Sequence, residues 1–118
     1  MNTRQIGARQ EERAASYLQQ QGMEILDRNF RNRQGEIDII GRHDGYLVFV
    51  EVKYRSSACH GLPSEAVNLR KQKNICRVAD YYRMRHHIGD GAAVRYDVVA
   101  IEEERIEWIR NAFFHIGR

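Results

Sequence analysis

Between Gly35 and Lys53 the chain reads GEIDIIGRHDGYLVFVEVK, two strand-like apolar runs joined by Asp44-Gly45. Asp-Gly between such runs signals a two-residue hairpin turn, and a turn of fixed length fixes the register of the strands it joins. Strands over Glu36–Arg42 and Tyr46–Tyr54 are therefore expected to pair antiparallel. His43 should face Tyr46, Asp38 should face Glu51, and Glu36 should face Lys53. Because side chains alternate along a strand, Glu36, Asp38 and Ile40 are expected on one face of the first. Glu51 and Lys53 share a face of the second, with Val48, Val50 and Val52 on the other.

This register sets two carboxylates directly opposite each other. Like charges so placed destabilise a sheet by about 0.2–1 kcal/mol, and by more when desolvated. A divalent cation between them reverses the sign, and hard Mg²⁺ is commonly held by one or two carboxylates with phosphate and water oxygens. Lys53 would set its ammonium beside that ion, where it could stabilise an attacking hydroxide or a pentavalent phosphate. A plainer account has Glu36 and Lys53 as a surface ion pair and Asp38 and Glu51 as solvated acids. Glu11 favours the site: it falls on an apolar helical stripe between Ala8, Ala15 and Leu18, where an unpaired carboxylate is unfavourable. Taken alone, Glu11 at a stripe edge reads as half-exposed; combined with Asp38, Glu51 and Lys53 it is expected as a third acid for the same place.

The rest of the chain supplies the frame. Arg4–Gln21 reads as a helix, with Gly7, Ala8, Ala14, Ala15 and Leu18 on one stripe and Gly22 as its stop. Met23–Phe30 reads as a strand leading into a basic loop, RNFRNRQG. Ser56–Pro63 reads as a polar loop. Ser64–His86 reads as a second helix opened by Ser64 and Glu65, with Val67, Ile75, Val78, Ala79 and Tyr82 as a broken apolar face. Strands follow at Val94–Ile101 and Ile106–Ile109. The expected class is α/β, a mixed central sheet flanked by helices in the order α-β-β-β-α-β-β. At 118 residues, positions 1–118 make a single domain.

Composition limits the function classes. The chain is 42% apolar and 30% charged with a net charge of +3, which permits a polyanionic partner without requiring one. Cys59 and Cys76 form no CxxC pair, and Cys59-His60 lacks the other ligands of a zinc site. Free thiols fit a reducing compartment, the N-terminal sequence has no signal-peptide core, and no run reaches the roughly 20 apolar residues of a membrane span. A cytoplasmic protein without a membrane partner is expected.

An acid ending one strand, followed by E-x-K on its antiparallel neighbour, resembles the core of the PD-(D/E)xK nuclease superfamily. Asp38 takes the place of the first acid and Glu51-Val52-Lys53 that of E-x-K. Over nearly the whole chain the pattern is similar to uncharacterised protein family 0102, the YraN family, described as related to archaeal-type Holliday-junction resolvases. The matching positions are Gly7, Glu11 and Ala14; Asn29 and Arg31 before GEIDII; VFVEVKYR; Gly61-Leu62-Pro63, Glu65-Ala66-Val67 and Lys71-Gln72; Ala79; Arg95-Tyr96-Asp97-Val98-Val99; and Asn111-Ala112-Phe113. Ile37 replaces the proline of the superfamily name, and Gln10 stands where the family often has glycine. The resemblance implies a restriction-endonuclease-like fold and a nuclease-like site of Glu11, Asp38, Glu51 and Lys53. Its metal, Mg²⁺ or Mn²⁺, would be held by Asp38, Glu51, Glu11 and the Val52 carbonyl.

Phosphate contacts should then come from Arg28, Arg31 and Arg33 before GEID, Arg55 after EVK, and Arg70, Lys71, Lys73 and Arg77 on the second helix. Arg70, Lys73 and Arg77 share one helical face, equally readable as a solvated surface. Lys71 matches the family pattern and ranks first among them for a place near the site. His86-His87 reads as a helix cap, Asp97 as a structural partner of Arg95 or the first helix, and Trp108, Phe113 and Phe114 as completing a core or a dimer contact. The expected function is metal-dependent hydrolysis of DNA phosphodiesters, branched or damaged DNA included, with DNA preferred to RNA. A homodimer is expected if the substrate is a four-way junction. The rival is a non-catalytic nucleic-acid-binding or partner-binding module that keeps the nuclease fold.

Overall fold

A computed structural model describes residues 2–55 and 67–117. Helix α1 (Thr3–Gln20) is followed by strands β1 (Glu24–Asn32), β2 (Gly35–His43) and β3 (Tyr46–Arg55), helix α2 (Leu69–Arg85), and strands β4 (Val94–Glu102) and β5 (Arg105–Phe113). The strands form one mixed sheet in the order β1-β2-β3-β4-β5. Every neighbouring pair is antiparallel except β3 and β4, which run parallel. The element order is the expected one. Among the described residues no helix is long and apolar enough to cross a membrane.

The helices lie on opposite faces of the sheet. Ala14, Ala15 and Leu18 of α1 pack with Ile39, Val48, Val50, Val99 and Ile101. Ile75, Cys76, Val78, Ala79 and Tyr82 of α2 pack with Ile37, Ile40, Phe49, Tyr96 and Val98. Asn2 and Gln5 close a reciprocal capping box at the start of α1. At its end Gly22 adopts φ +100°, with Met23 N–H donated to Leu18 O at 2.9 Å and Gly22 N–H to Gln19 O at 3.1 Å. Gly22 is thus the stop that the sequence predicts. Ala8, expected on the buried stripe, is exposed, and Gln10 is buried instead.

Three element boundaries differ from expectation by more than one residue. Helix α2 begins at Leu69 rather than Ser64, because Asn68 takes the N-cap and its side chain accepts from Lys71 N–H at 2.9 Å. Ser64, Glu65 and the loop over 56–63 lie outside the described residues. The basic segment after Phe30 is strand as far as Asn32, and only Arg33 and Gln34 form the turn. Strand β5 runs to Phe113 because Asn111, at φ 54°, forms a bulge rather than a stop. Its N–H is donated to Asp97 Oδ1 at 2.9 Å, and the ladder resumes with Tyr96 opposite Phe113.

The hairpin turn holds as expected. Asp44 and Gly45 both have positive φ, 51° and 82°, as a primed two-residue turn requires, and His43 pairs with Tyr46. The alternation of faces along β2 does not hold. Ile37 packs on the α2 side, Ile39 on the α1 side and Ile40 on the α2 side again, so Asp38 marks a reversal. The same reversal occurs in β1, where Arg28 bonds to Glu12 of α1 while Phe30 packs edge-on to Tyr82 of α2. Between them Asn29 takes φ 54°. Ile40 therefore does not share a face with Asp38.

Candidate metal centre

Strands β2 and β3 part at the acids. Their ladder runs from His43–Tyr46 to Ile39–Val50 and ends there, one pair short of the expected Asp38–Glu51 rung. Beyond it β2 continues against β1, with Glu36 opposite Arg31, while β3 continues against β4, with Glu51 opposite Val98. Asp38 sits in the fork, where its Oδ2 accepts the Val52 N–H at 2.8 Å. The Val52 backbone is thus bound to the site through its amide.

The fork places acids on both sides of Asp38. Glu11 from α1 and Glu36 from β2 have carboxylate oxygens within 4.8 Å of one another and of Asp38. Glu51 lies on the α2 side of β3, as the alternation of Leu47 and Phe49 against Val48 and Val50 requires. Asp38 and Glu51 are 8% and 5% exposed, so both carboxyls are removed from bulk water. Burial, and then the charge of Glu51 and a hydrogen bond with it, push the Asp38 pKa up from 3.8 to about 8, against the opposing Val52 N–H. Glu11 is raised by burial and next by Glu36, with Arg28 pulling the other way.

Two lysines lie near these acids, and one of them pairs with Glu51. Lys53 is half-buried two residues beyond Glu51, and Lys71 reaches across from the first turn of α2 to pair with Glu51 Oε2. Burial alone would lower the Lys71 pKa, but its hydrogen bond with Glu51 and the charges of Glu51 and Asp38 raise it. The expected Glu36–Lys53 pair does not form. With the ladder broken, Glu36 stays beside its β1 neighbour Arg31, at 3.3 Å, and joins the acid group. Sequence reasoning missed Glu36 as a ligand because a regular hairpin carries it to Lys53. The available signal was the second short turn at Arg33-Gln34, which sets Arg31 across from Glu36.

The donor set suits a hard divalent cation: carboxylate oxygens only, from α1, β2 and β3, converging on one buried aspartate whose ionised form lacks a cationic partner of its own. Glu11, Glu36 and Asp38 could hold an ion on one side of the fork, and Asp38 with Glu51 on the other.

The eight basic residues expected at phosphates are dispersed. Arg28 is committed to Glu12 at 2.7 Å and Arg31 to Glu36. Arg33 is exposed in the β1–β2 turn. Arg55 pairs with Glu102 in the β3–β4 ladder and lines a hollow with Arg105 and Glu107. Arg70, Lys73 and Arg77 are exposed along α2. Arg70 and Lys71 line a groove of about 260 Å³ with Glu36, Asn68 and Asn74 that opens beside the acids.

The weaker candidates are structural. His86 caps α2, its Nδ1 lying 3.0 Å from Tyr82 O. Asp97 is wholly buried and accepts from Arg95 Nε and Trp108 Nε1, at 2.9 and 2.8 Å, as well as from Asn111 N–H. Trp108 packs on the α1-side core and Phe113 stacks on Tyr96 at 5.2 Å, whereas Phe114 is 78% exposed. Cys76 is a buried free thiol, and Cys59 lies outside the described residues.

Related proteins match the chain over nearly its whole length. The chain is 47% identical over 117 residues to a UPF0102 protein of Lachnoclostridium phytofermentans, covering 99% of each chain. It is 47% identical over 122 aligned residues to a UPF0102 protein of Acetivibrio thermocellus, covering 95% of this chain and 93% of the other. A UPF0102 protein of Burkholderia ambifaria is 42% identical over 112 residues, which cover 94% of this chain and 78% of that one. The profile of uncharacterised protein family UPF0102 matches residues 10–101, from the turn of α1 that carries Glu11 through the parallel strands β3 and β4, and the chain belongs to that family.

Proposed function

We propose that the protein is a metal-dependent phosphodiesterase of the PD-(D/E)xK type that hydrolyses DNA, with residues 1–118 forming one restriction-endonuclease-like domain. The observation that carries this reading is Asp38 buried at the fork of two strands, between Glu11 and Glu36 on one side and Glu51 on the other. Asp38, Glu51, Glu11 and Glu36 would hold Mg²⁺ or Mn²⁺, with the Val52 carbonyl as a further ligand on the family pattern. A bound cation would supply Lewis-acid polarisation of a phosphoryl oxygen. Lys53 orients the attacking water and stabilises charge that develops on the phosphate. Arg70, beside Glu36 in the groove, is positioned to contact a neighbouring phosphate. Branched or damaged DNA is the substrate class in this reading, a homodimer is the working form on a four-way junction, and the cytoplasm is the compartment.

The test is cleavage of linear, nicked and four-way-junction DNA with Mg²⁺ or Mn²⁺. Wild type should cut, and Lys53→Ala and Asp38→Asn should lose at least about a hundredfold in rate, the scale of one electrostatic group at a reacting centre. Activity that survives both substitutions overturns the mechanism.

One observation favours a second reading. Lys71 already neutralises Glu51, as it would in a nucleic-acid-binding module that keeps the fold without catalysis. Salt-dependent DNA binding without cleavage, and without Mn²⁺ binding that depends on Asp38 and Glu51, would establish that alternative.

A further inference from the structure

Lys71 enters the site from a different element than the acids it serves. Asn68 fixes the first turn of α2 through Lys71 N–H, so the lysine backbone is anchored while its long stem is free to swing. The ammonium rests on Glu51, whose side chain is 5% exposed, while the lysine side chain itself is 42% exposed. Asp38 adds to the attraction that holds the lysine charged. Lys53, fixed on β3 itself, has no ion pair among the described residues.

A divalent ion drawing on Asp38 and Glu51 would share Glu51 with Lys71, whose ammonium sits on Oε2. A positive charge held that close to the ion is repulsive. The neighbouring groove, lined by Asn68, Arg70 and Asn74, gives a displaced ammonium room to enter water.

Resting on the metal-centre reading above, we infer that Lys71 is a built-in counter-cation that competes with the divalent metal for Glu51. The metal-free site is closed by Lys71, and metal occupancy requires the lysine to give up that contact. Lys71 thereby weakens metal binding while protecting two buried acids from mutual repulsion.

The experiment is calorimetric titration of Mn²⁺ into the full-length protein at constant pH and ionic strength, with wild type, Lys71→Met, Lys71→Gln and Lys71→Arg. Circular dichroism of each variant checks the fold. Removing the charge should tighten Mn²⁺ binding about tenfold, the scale of one partly buried ion pair. Lys71→Arg should stay at or above the wild-type dissociation constant. Tightening in Lys71→Gln alone still supports the inference if Lys71→Met misfolds. Unchanged or weaker Mn²⁺ binding in folded charge-free variants overturns it and leaves the metal centre standing. Wild type that fails to bind while Lys71→Met binds supports the inference in its strongest form. Absence of binding in every variant overturns the metal centre and the inference together.

Discussion

Val52 donates its amide N–H to Asp38 Oδ2 at 2.8 Å, a side-chain bond formed where the ladder of β2 and β3 has already ended at Ile39 and Val50. The bond holds an acid at a fork that the backbone alone leaves open. It also stabilises the charged form of Asp38, but burial and Glu51 outweigh it.

That imbalance makes stability depend on pH. The Asp38 carboxyl is raised from 3.8 to about 8, so the native state keeps a proton that the unfolded chain releases, and stability falls as pH rises through that window. Urea unfolding between pH 5 and pH 9 should show the decline in wild type. Asp38→Asn should flatten it and exceed wild type at pH 9 by on the order of a few kcal/mol. An equally steep decline in the variant would remove Asp38 as its source.

Metal should act in the opposite sense, by giving the ionised acids a partner. At a Mn²⁺ concentration of about 100 times its dissociation constant, the native state should gain roughly 2.7 kcal/mol. Scanning calorimetry should record a higher Tm in wild type and little change in Asp38→Asn. An equal rise in both proteins would place the ion elsewhere.

Asp97 is the other buried acid, and its partners make it structural. Arg95, Trp108 and Asn111 all donate to it, and Arg95 Nη2 also lies 3.1 Å from His43 Nδ1. Asp97→Ala leaves a buried guanidinium unpaired and should destabilise by about 3–5 kcal/mol. Mn²⁺ affinity of the folded fraction should stay at the wild-type value, and a large loss there would give Asp97 a role at the metal.

At Gly41, β2 lies close against Met23 and the start of β1. A Cβ there would lie 2.6 Å from Met23 Sδ and 2.8 Å from Glu24 O. Gly41→Ala should destabilise by about 1–3 kcal/mol. In a Met23→Ala background the same substitution should cost less but still destabilise, because the Glu24 carbonyl is backbone. No cost in that background would show that β1 can yield.

The sequence made the hairpin legible because Asp44-Gly45 leaves one register, and that register holds to Ile39 and Val50. It also brought Glu11, Asp38 and Glu51 to one place. The reversal at Asp38 was not legible. It goes with Asn29 in a left-handed conformation, which asparagine tolerates but does not require, and with an aspartate that leaves its rung to take an amide. Glu36 went astray for the same reason, since its partner follows from where the ladder stops. The start of α2 was missed because Ser64-Glu65 and Asn68 are both acceptable caps by residue type, and the side-chain bond to Lys71 N–H decides for Asn68. Lys71 was placed near the site, but its partner was not, because a helix has to be docked before its lysine finds an acid on a strand.

The parallel pairing of β3 with β4 adds an order of events to this geometry. An antiparallel hairpin closes from neighbouring residues, whereas β4 reaches β3 only after α2 has packed across the sheet. The hairpin therefore brings Asp38 and Glu51 together early, while the lysine that neutralises Glu51 arrives late. Until α2 docks, Asp38 and Glu51 stand without the lysine that pairs with Glu51. Refolding should slow as pH rises past about 8, where Asp38 gives up its proton.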